Sequence, residues 1–419
     1  MKKIIIIGGG AAGMMAAVMA AGQAKCAVSI FEKNAYLGAK VLISGGGRCN
    51  LTTGIFDVKE LLKNYPLRRS TARGAKFLMT AMFRFPPEKV MEWFEEHGVP
   101  LKIEKDLRVF PVSDNGKDIV SALEKDLKSK GVEILCNMAV TQIAKNGKQF
   151  TITNKDGQAF IADAIILTTG GNAFRHTGST GDGYAFAEAL GHTITALGPS
   201  LNSLVIAEKW VGALAGVSFE KAKLTLGAPT FGAYERIGSF VFTHRGVSGP
   251  AVFALSSYAA HEPISKKTPL KLTVDFFPDE KFEVLELRIL NLIQKNPQKS
   301  LINFLDILLP KSLCGVVTKI ANIKGAAKAG ALTKENRATL TRLLKEFSMT
   351  VVDRSGGEEF VTAGGVNLSE INTNTMESKI CPGLYFAGEI MDVDGFTGGF
   401  NLQAAWATGA LAGSSIIKL

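Results

Sequence analysis

No Cys-x-x-Cys pair occurs in this sequence. Its five cysteines (Cys26, Cys49, Cys136, Cys314 and Cys381) are odd in number and far apart. Neither a disulfide framework nor a zinc site is indicated, and no metal is expected. Unpaired thiols fit a reducing cytoplasm. No stretch of 18 uninterrupted apolar residues is present, so no transmembrane span is expected. Met1-Lys2-Lys3 before an apolar stretch has the outline of a signal peptide. Gly8, Gly9, Gly10 and Gly13 would break its helix, however, and Cys26 follows Gln-Ala-Lys rather than a small-residue cleavage site. The reading is a cytoplasmic chain with no membrane partner. Long basic runs are also missing. Net charge is +10, from 48 basic and 38 acidic residues, yet no basic run exceeds two, and Lys2, Arg68, Arg69, Lys266, Lys267, Lys311 and Lys328 are scattered. That reads as a solvated surface, with nucleic acid not expected as a partner and the oligomeric state open.

Glycine is plentiful. The 44 glycines cluster in doublets and triplets, a pattern that suggests backbone brought close to a ligand. Ile4 to Ile7 form the kind of β-branched run that is buried on both faces of a parallel sheet. Residues 11–24 are rich in alanine and methionine and read as a helix, and 27–31 read as a second strand ending at Glu32. Between the first strand and the helix, Gly8-Gly9-Gly10-Ala11-Ala12-Gly13 fits G-x-G-x-x-G. Gly8 permits the tight turn, Gly10 lets the backbone approach a pyrophosphate, and Gly13 allows close helix–strand packing. The helix start then offers unpaired N–H groups to that pyrophosphate. Glu32, 19 residues after Gly13, is set to accept hydrogen bonds from ribose hydroxyls.

Later loops decide which dinucleotide is expected. Ser44-Gly45-Gly46-Gly47-Arg48-Cys49-Asn50 is too glycine-rich for a packing segment and suits an extended FAD. The apolar strand 164–168 runs into Thr169-Gly170-Gly171. Gly388-Glu389, with Asp392, Asp394 and Gly395 beyond, has the strand–glycine–acid form that can hold ribityl hydroxyls. Gly398-Gly399-Phe400-Asn401 opens the last helix, whose positive end can stabilise charge on a reduced flavin. Their order along the chain favours FAD over NAD.

Residues 38–50 (GAKVLISGGGRCN), 242–250 (FTHRGVSGP) and 394–405 (DGFTGGFNLQAA) resemble the signature segments of the BaiN/YhiN-type, aminoacetone-oxidase-like flavoproteins. The resemblance spans nearly the whole chain. It implies FAD contacts at Ala12, Glu32, Lys33, Lys40, Ser44, Gly46, Arg48, Asn50, Val140, Gly388, Asp394, Asn401 and Leu402. It also implies NAD(P)H-dependent reduction of an activated C=C bond in a small organic, steroid- or bile-acid-like substrate. An amine oxidase acting on a small amino-ketone such as aminoacetone stands as the alternative, since no second G-x-G-x-x-G unit marks a nicotinamide site. An RNA-associated flavoprotein is the alternative from another class.

The expected fold is α/β, a discontinuous Rossmann-type, glutathione-reductase-like FAD domain with a β-rich middle domain carrying a small helical insert. The FAD domain takes residues 1–192 and 356–419, the middle domain 193–279 with a return strand at 348–355, and the insert 280–347. Expected elements include a helix at 116–130, strands at 132–143, 149–153 and 159–162, and middle-domain strands at 223–226, 239–243, 271–275 and 348–352. In the insert Thr333 is an N-cap, and a closing helix covers 401–417. For proton transfer the candidates are His176 and His244. Cys49 reads as packing rather than redox, and Asp182 as the N-cap of a helix ending at Gly191. The reaction is expected between the FAD and middle domains, with non-covalent FAD and a transiently bound NAD(P)H.

Overall fold

The computed structural model describes residues 1–23, 26–66, 74–229, 232–356 and 359–416. Ala24 and Ile417, assigned above to helix ends, and Arg68 and Arg69 lie outside the described residues. The chain divides into two compact units, Met1–Ser200 with Glu359–Leu419, and Leu201–Glu358.

The first unit is built on a five-stranded parallel sheet. Its strands are β1 (Lys2–Ile7), β2 (Cys26–Phe31), β3 (Glu133–Leu135), β4 (Ala164–Leu167) and β5 (Leu384–Phe386), in the order β5-β4-β1-β2-β3. Ile4 to Ile7 are all buried because β1 is central, paired with Val28–Phe31 on one side and Ala164–Leu167 on the other. Helix α1 (Ala11–Ala21) is buried over nearly its whole surface, as an alanine–methionine helix can be when covered on two sides. Helix α3 (Phe400–Ser415), equally buried, supplies one of those covers. A Cβ at Gly409 would lie 2.4 Å from the Ala12 carbonyl oxygen, and one at Gly413 2.2 Å from that of Ala16. Two glycines one helical turn apart thus let the helix backbones meet.

The segment expected as one strand over 132–143 is two. Glu133–Leu135 joins the parallel sheet, while Val140–Asn146 opens a separate antiparallel sheet with Gln149–Asn154 and Ala159–Ala162. Asn137 breaks the run. It takes a left-handed φ of 56° and donates its N–H to Asn34 O, while Met138 donates to Glu32 O. The described parts of 51–115, for which the sequence suggested no elements, include a three-stranded sheet (Thr52–Thr53, Leu101–Ile103, Arg108–Pro111) and the helices Gly74–Arg84 and Pro87–Glu96.

The second unit is a closed six-stranded barrel. Its order is Leu204–Ile206, Gly246–Ser248, Gly232–Phe242, Ser218–Ala228, Leu270–Asp275 and Phe347–Arg354. The two longest strands extend well beyond the expected 223–226 and 239–243. A register shift between Phe219 and Ala222 interrupts the alternation that would have revealed them. Helices Phe282–Lys295, Leu301–Leu305, Lys311–Ile320 and Lys334–Lys345 form the insert. They bury Leu285, Ile289, Phe304, Leu313 and Leu340 in the barrel's core. Thr333 caps the last of them, its hydroxyl accepting the Asn336 N–H at 3.1 Å.

Candidate functional site: a glycine-lined cradle

The cradle lies in the first unit, beyond the carboxyl ends of the parallel strands, where open α/β sheets bind ligands. Three glycines of the first loop have different neighbours. A Cβ at Gly8, whose φ is +106°, would lie 2.5 Å from Thr168 O, and one at Gly13 would lie 1.9 Å from Gly8 O. Both positions are closed by the protein itself. At Gly10 a Cβ would meet nothing within 4 Å, so the missing side chain leaves open space at the start of α1. Gly10 is the N-cap of α1, no side chain caps it, and no acid occupies the first turn. The N–H groups of Ala11, Ala12 and Gly13 are therefore available to an anion. Glu32, buried at the end of β2, accepts the Gly9 N–H at 2.7 Å and the Asn34 N–H at 2.8 Å. These bonds fix its carboxylate beside the loop and leave it lone pairs for further donors.

The second wall is the turn Ser44–Gly47. Gly45, Gly46 and Gly47 have φ of 57°, 71° and 90°, and a Cβ on Gly46 would again meet nothing within 4 Å. Cys49 follows with φ 61°. It is fully buried, which pushes its thiol up to about 12. A thiol so reluctant to ionise is a poor nucleophile. Arg48 lies over the Phe110 ring at 3.9 Å and is paired with Glu104 and then Asp114, contacts that raise its already high pKa. Its guanidinium is thus committed within the protein. The Asn50 amide, with its oxygen toward Gly399, accepts that residue's N–H at 2.9 Å and donates to Thr52 O at 3.2 Å. Asn50 thereby ties this wall to the start of α3.

The N-cap residue of α3 has no side chain of its own to cap the N–H groups beyond it. Gly399 is its N-cap with φ +87°, and a Cβ there would lie 2.2 Å from Thr52 O. Asn401 turns back to brace the approach, exchanging hydrogen bonds of 2.8 Å with the N–H and carbonyl of Gly395. Phe400 is buried and its carbonyl accepts the Tyr65 hydroxyl at 2.8 Å, while Leu402 is half-buried. Asp394 is buried and accepts the Ser200 hydroxyl at 2.6 Å. Gly388, at the end of β5, donates its N–H to Thr408 at 3.0 Å and sits against Ala12.

Lys40 and Glu389 form an ion pair at 2.6 Å, and the other Glu389 oxygen accepts the Thr362 N–H at 2.9 Å. Gly171 packs against this pair, since a Cβ there would lie 2.9 Å from the Glu389 carboxylate. Gly170 has φ +76°. Beside them, Thr169 Oγ1 and Asn172 Oδ1 are buried with no hydrogen-bond partner. Buried polar atoms of this kind call for a partner that the protein alone does not supply. Lys33 pairs with Asp182 at 2.7 Å and donates to Thr180 at 2.6 Å. Burial works to raise the Asp182 pKa, but Lys33 and the Thr180 hydroxyl outweigh it and hold the carboxyl below its usual range. The N-cap of helix α2 (Asp182–Ala189) is Gly181, and Asp182 is its first residue, contrary to the expectation. Val140 opens its strand, half-buried.

The two histidines lie in different units. His176 is exposed on the turn Arg175–Thr177, edge-on to Phe174. His244 is exposed between the barrel strands Gly232–Phe242 and Gly246–Ser248. Sequence reasoning missed Asn172, Thr362 and Gln403. Gln403 is fully buried, accepting from Thr52 and donating to Phe85 O at 2.9 Å. A glutamine two residues beyond the glycine–asparagine helix start was the available signal.

The HI0933-like protein Rossmann domain matches residues 2–415. A 3-dehydro-bile acid delta(4,6)-reductase from Clostridium scindens is 33% identical, over 99% of this chain and 98% of that protein. A ribosomal RNA dihydrouridine synthase from Escherichia coli is 30% identical, over 96% of this chain and 95% of that protein. Among solved structures, a 3-ketosteroid delta1-dehydrogenase from Sterolibacterium denitrificans has a TM-score of 0.52 at 12% identity, with 99% of each chain covered; this is a likeness of fold. Fold, cradle and relatives define an FAD-dependent oxidoreductase. The chain belongs to the HI0933-like Rossmann family.

Proposed function

We propose that the chain reduces a carbon–carbon double bond conjugated to a carbonyl group, using NAD(P)H as a transient reductant and FAD held non-covalently in the cradle. The observation that carries this reading is the chemistry common to the two relatives described above. A delta(4,6)-reductase of a 3-dehydro-bile acid and a synthase of dihydrouridine both saturate an alkene polarised by a carbonyl. On this reading the substrate is a small steroid- or bile-acid-like enone.

The residues fit the cofactor. Gly10 and Gly46 open onto space, two helices start at glycine N-caps that supply no capping side chain, and Thr169 Oγ1 is buried without a partner. Gly10 and the N–H groups of Ala11, Ala12 and Gly13 would hold the pyrophosphate, with Gly8 shaping the turn, Glu32 and Lys33 toward the adenosine and Val140 beside it. Lys40, Ser44 to Asn50, Thr169 to Gly171, Gly388, Glu389 and Asp394 would line the remainder, and Gly399 to Leu402 would offer the positive end of α3 to the ring. Bound FAD supplies hydride transfer to the alkene. The chain's share is to orient, to balance negative charge at the start of α3 and to deliver one proton, for which His176 and His244 are the candidates.

A second reading makes the alkene the uracil ring of an RNA. The Escherichia coli relative and the net charge of +10 favour it. Anaerobic stopped-flow spectroscopy tests both. NADH or NADPH should bleach the flavin band, and either a 3-oxo-Δ4 steroid or a uridine-containing RNA should restore it. His176→Ala and His244→Ala should then separate proton delivery from FAD binding. Bleaching by aminoacetone, with neither nicotinamide effective, would put an amine oxidase in place of the reductase.

A further inference from the structure

The excess positive charge is not spread evenly. Residues 295–345 contain ten basic and two acidic residues, so this segment carries +8 of the chain's +10. The remaining 368 residues, with 38 basic and 36 acidic, are nearly neutral. Runs of basic residues do not reveal this, because the lysines and arginines of the segment are separated by three to twelve positions.

The fold gathers them. Ser300 and Lys328 form an antiparallel bridge. Leu301 N–H donates to Ala327 O, Ile302 N–H to Gly325 O, Ala329 N–H to Lys299 O and Gly330 N–H to Pro297 O. Gly325 also packs against Ile302 and Thr318. These contacts bring Lys295, Lys299, Lys319, Lys324 and Lys328 to one end of the helical insert, and all five are exposed. None forms an ion pair among the described residues. Lys328 has one hydrogen bond, to Gln298 O at 2.8 Å. Unneutralised like charges oppose compaction, and their field draws in an extended polyanion.

We propose that this end of the insert is a docking surface for RNA; the inference rests on the second reading above, that the alkene lies in an RNA. Charge complementarity carries it. The same segment also defines the mode of contact. Its one aromatic residue, Phe304, is fully buried, so no ring is offered for stacking on unpaired bases. The lysines meet phosphates, hold the RNA without reading its sequence, and leave base recognition to other residues.

The test uses the FAD-loaded full chain and a labelled structured ribosomal RNA fragment, followed by fluorescence anisotropy across a salt series. One variant combines Lys295→Glu, Lys299→Glu, Lys324→Glu and Lys328→Glu, and a milder one replaces the same lysines by glutamine. A control reverses the exposed Lys117, Lys125, Lys128 and Lys148 of the first unit. The insert variants should lose at least tenfold in affinity, and the slope of log K against log salt should fall by about 3, at roughly 0.7–0.9 per phosphate contact. The control should lose far less, and reoxidation of reduced flavin by a small enone should be unchanged throughout. RNA affinity unaffected in both insert variants overturns the proposal. So does weakened binding to anionic phosphatidylserine vesicles with RNA binding intact, which would make the surface a membrane contact. If RNA binding falls as expected but the RNA never reoxidises the flavin, the docking surface stands and the uracil reading fails.

Discussion

The Nζ of Lys40 lies 2.6 Å from Glu389 Oε2, joining two residues 349 positions apart in the chain. Lys40 belongs to the short helix Ala39–Ile43 and Glu389 to the segment after β5, so one ion pair closes the cradle between the two ends of its unit. Both side chains are less than a third exposed, which places the pair between the near-zero value of surface pairs and the several kcal/mol of buried ones. Lys40→Met should cost about 1–2 kcal/mol of stability, measured by urea unfolding of the FAD-free protein, and Lys40→Met with Glu389→Met should recover part of that loss. A double variant no better than the sum of the singles would mean that the pair is not coupled.

Glu32 makes a prediction about binding. Its carboxylate is already fixed by the N–H groups of Gly9 and Asn34, and on the proposed reading its remaining lone pairs serve the ribose. Glu32→Ala should weaken FAD by ~1–3 kcal/mol, the scale of losing hydrogen bonds to a charged acceptor. Flavin fluorescence quenching in a folded variant measures this. Unchanged affinity would remove Glu32 from the site.

Gly10 and Gly13 should behave oppositely. A Cβ at Gly10 meets no protein atom, and one at Gly13 would sit 1.9 Å from Gly8 O. Gly10→Ala should leave the stability of the FAD-free protein within about 0.5 kcal/mol while weakening FAD. Gly13→Ala should destabilise the fold by about 1–3 kcal/mol or more, from overpacking. Thermal melts with and without added FAD distinguish them. A Gly10→Ala protein that melts early without FAD and binds FAD normally would reverse the assignment.

His192 gives a pH dependence unrelated to the cradle. It is buried, with Nδ1 3.1 Å from Glu370, Nε2 2.8 Å from the Ser378 hydroxyl and the Phe386 ring edge-on at 4.7 Å. Burial lowers its pKa, and the Glu370 carboxylate only partly offsets this. The folded state therefore holds the proton less tightly than the unfolded chain. The stability His192 contributes is full above the unfolded value, about 6.5, and is lost as pH falls toward the lowered folded value. Urea midpoints from pH 7.5 to 5 should decline more steeply in the native protein than in His192→Gln. Equal slopes would show that His192 takes no part.

The Rossmann half was legible because its signals are local. A four-isoleucine strand, a glycine fingerprint and an acid at the right spacing each act within a few residues of themselves. The barrel was only half legible, since the register shift at Phe219–Ala222 hides the alternation of one long strand. The split at Asn137 was not legible, because it depends on hydrogen bonds to Asn34 and Glu32, a hundred residues away. Within the cradle, the glycines announced themselves, whereas Thr362 matters through contacts with Glu389 and Gly171, and Asn172 through the N–H it donates to Thr362, which only the folded chain makes. The charge of the insert was present in the composition but dispersed along the sequence, and the Ser300–Lys328 bridge is what concentrates it.

The parallel sheet needs β5, and α1 needs the glycine face of α3, yet both partners are translated after the entire barrel. As the polypeptide leaves the ribosome, the fingerprint loop emerges before the barrel and must wait, its hydrophobic strand and helix uncovered, until residues 384–416 have been made. The barrel is closed wholly by strands between Leu204 and Arg354, so its pairing partners are all at hand much earlier. Synthesis therefore runs opposite to cofactor assembly: the first element made to receive the nucleotide is among the last to be completed, and in the interval its uncovered apolar surface is of the kind that promotes aggregation.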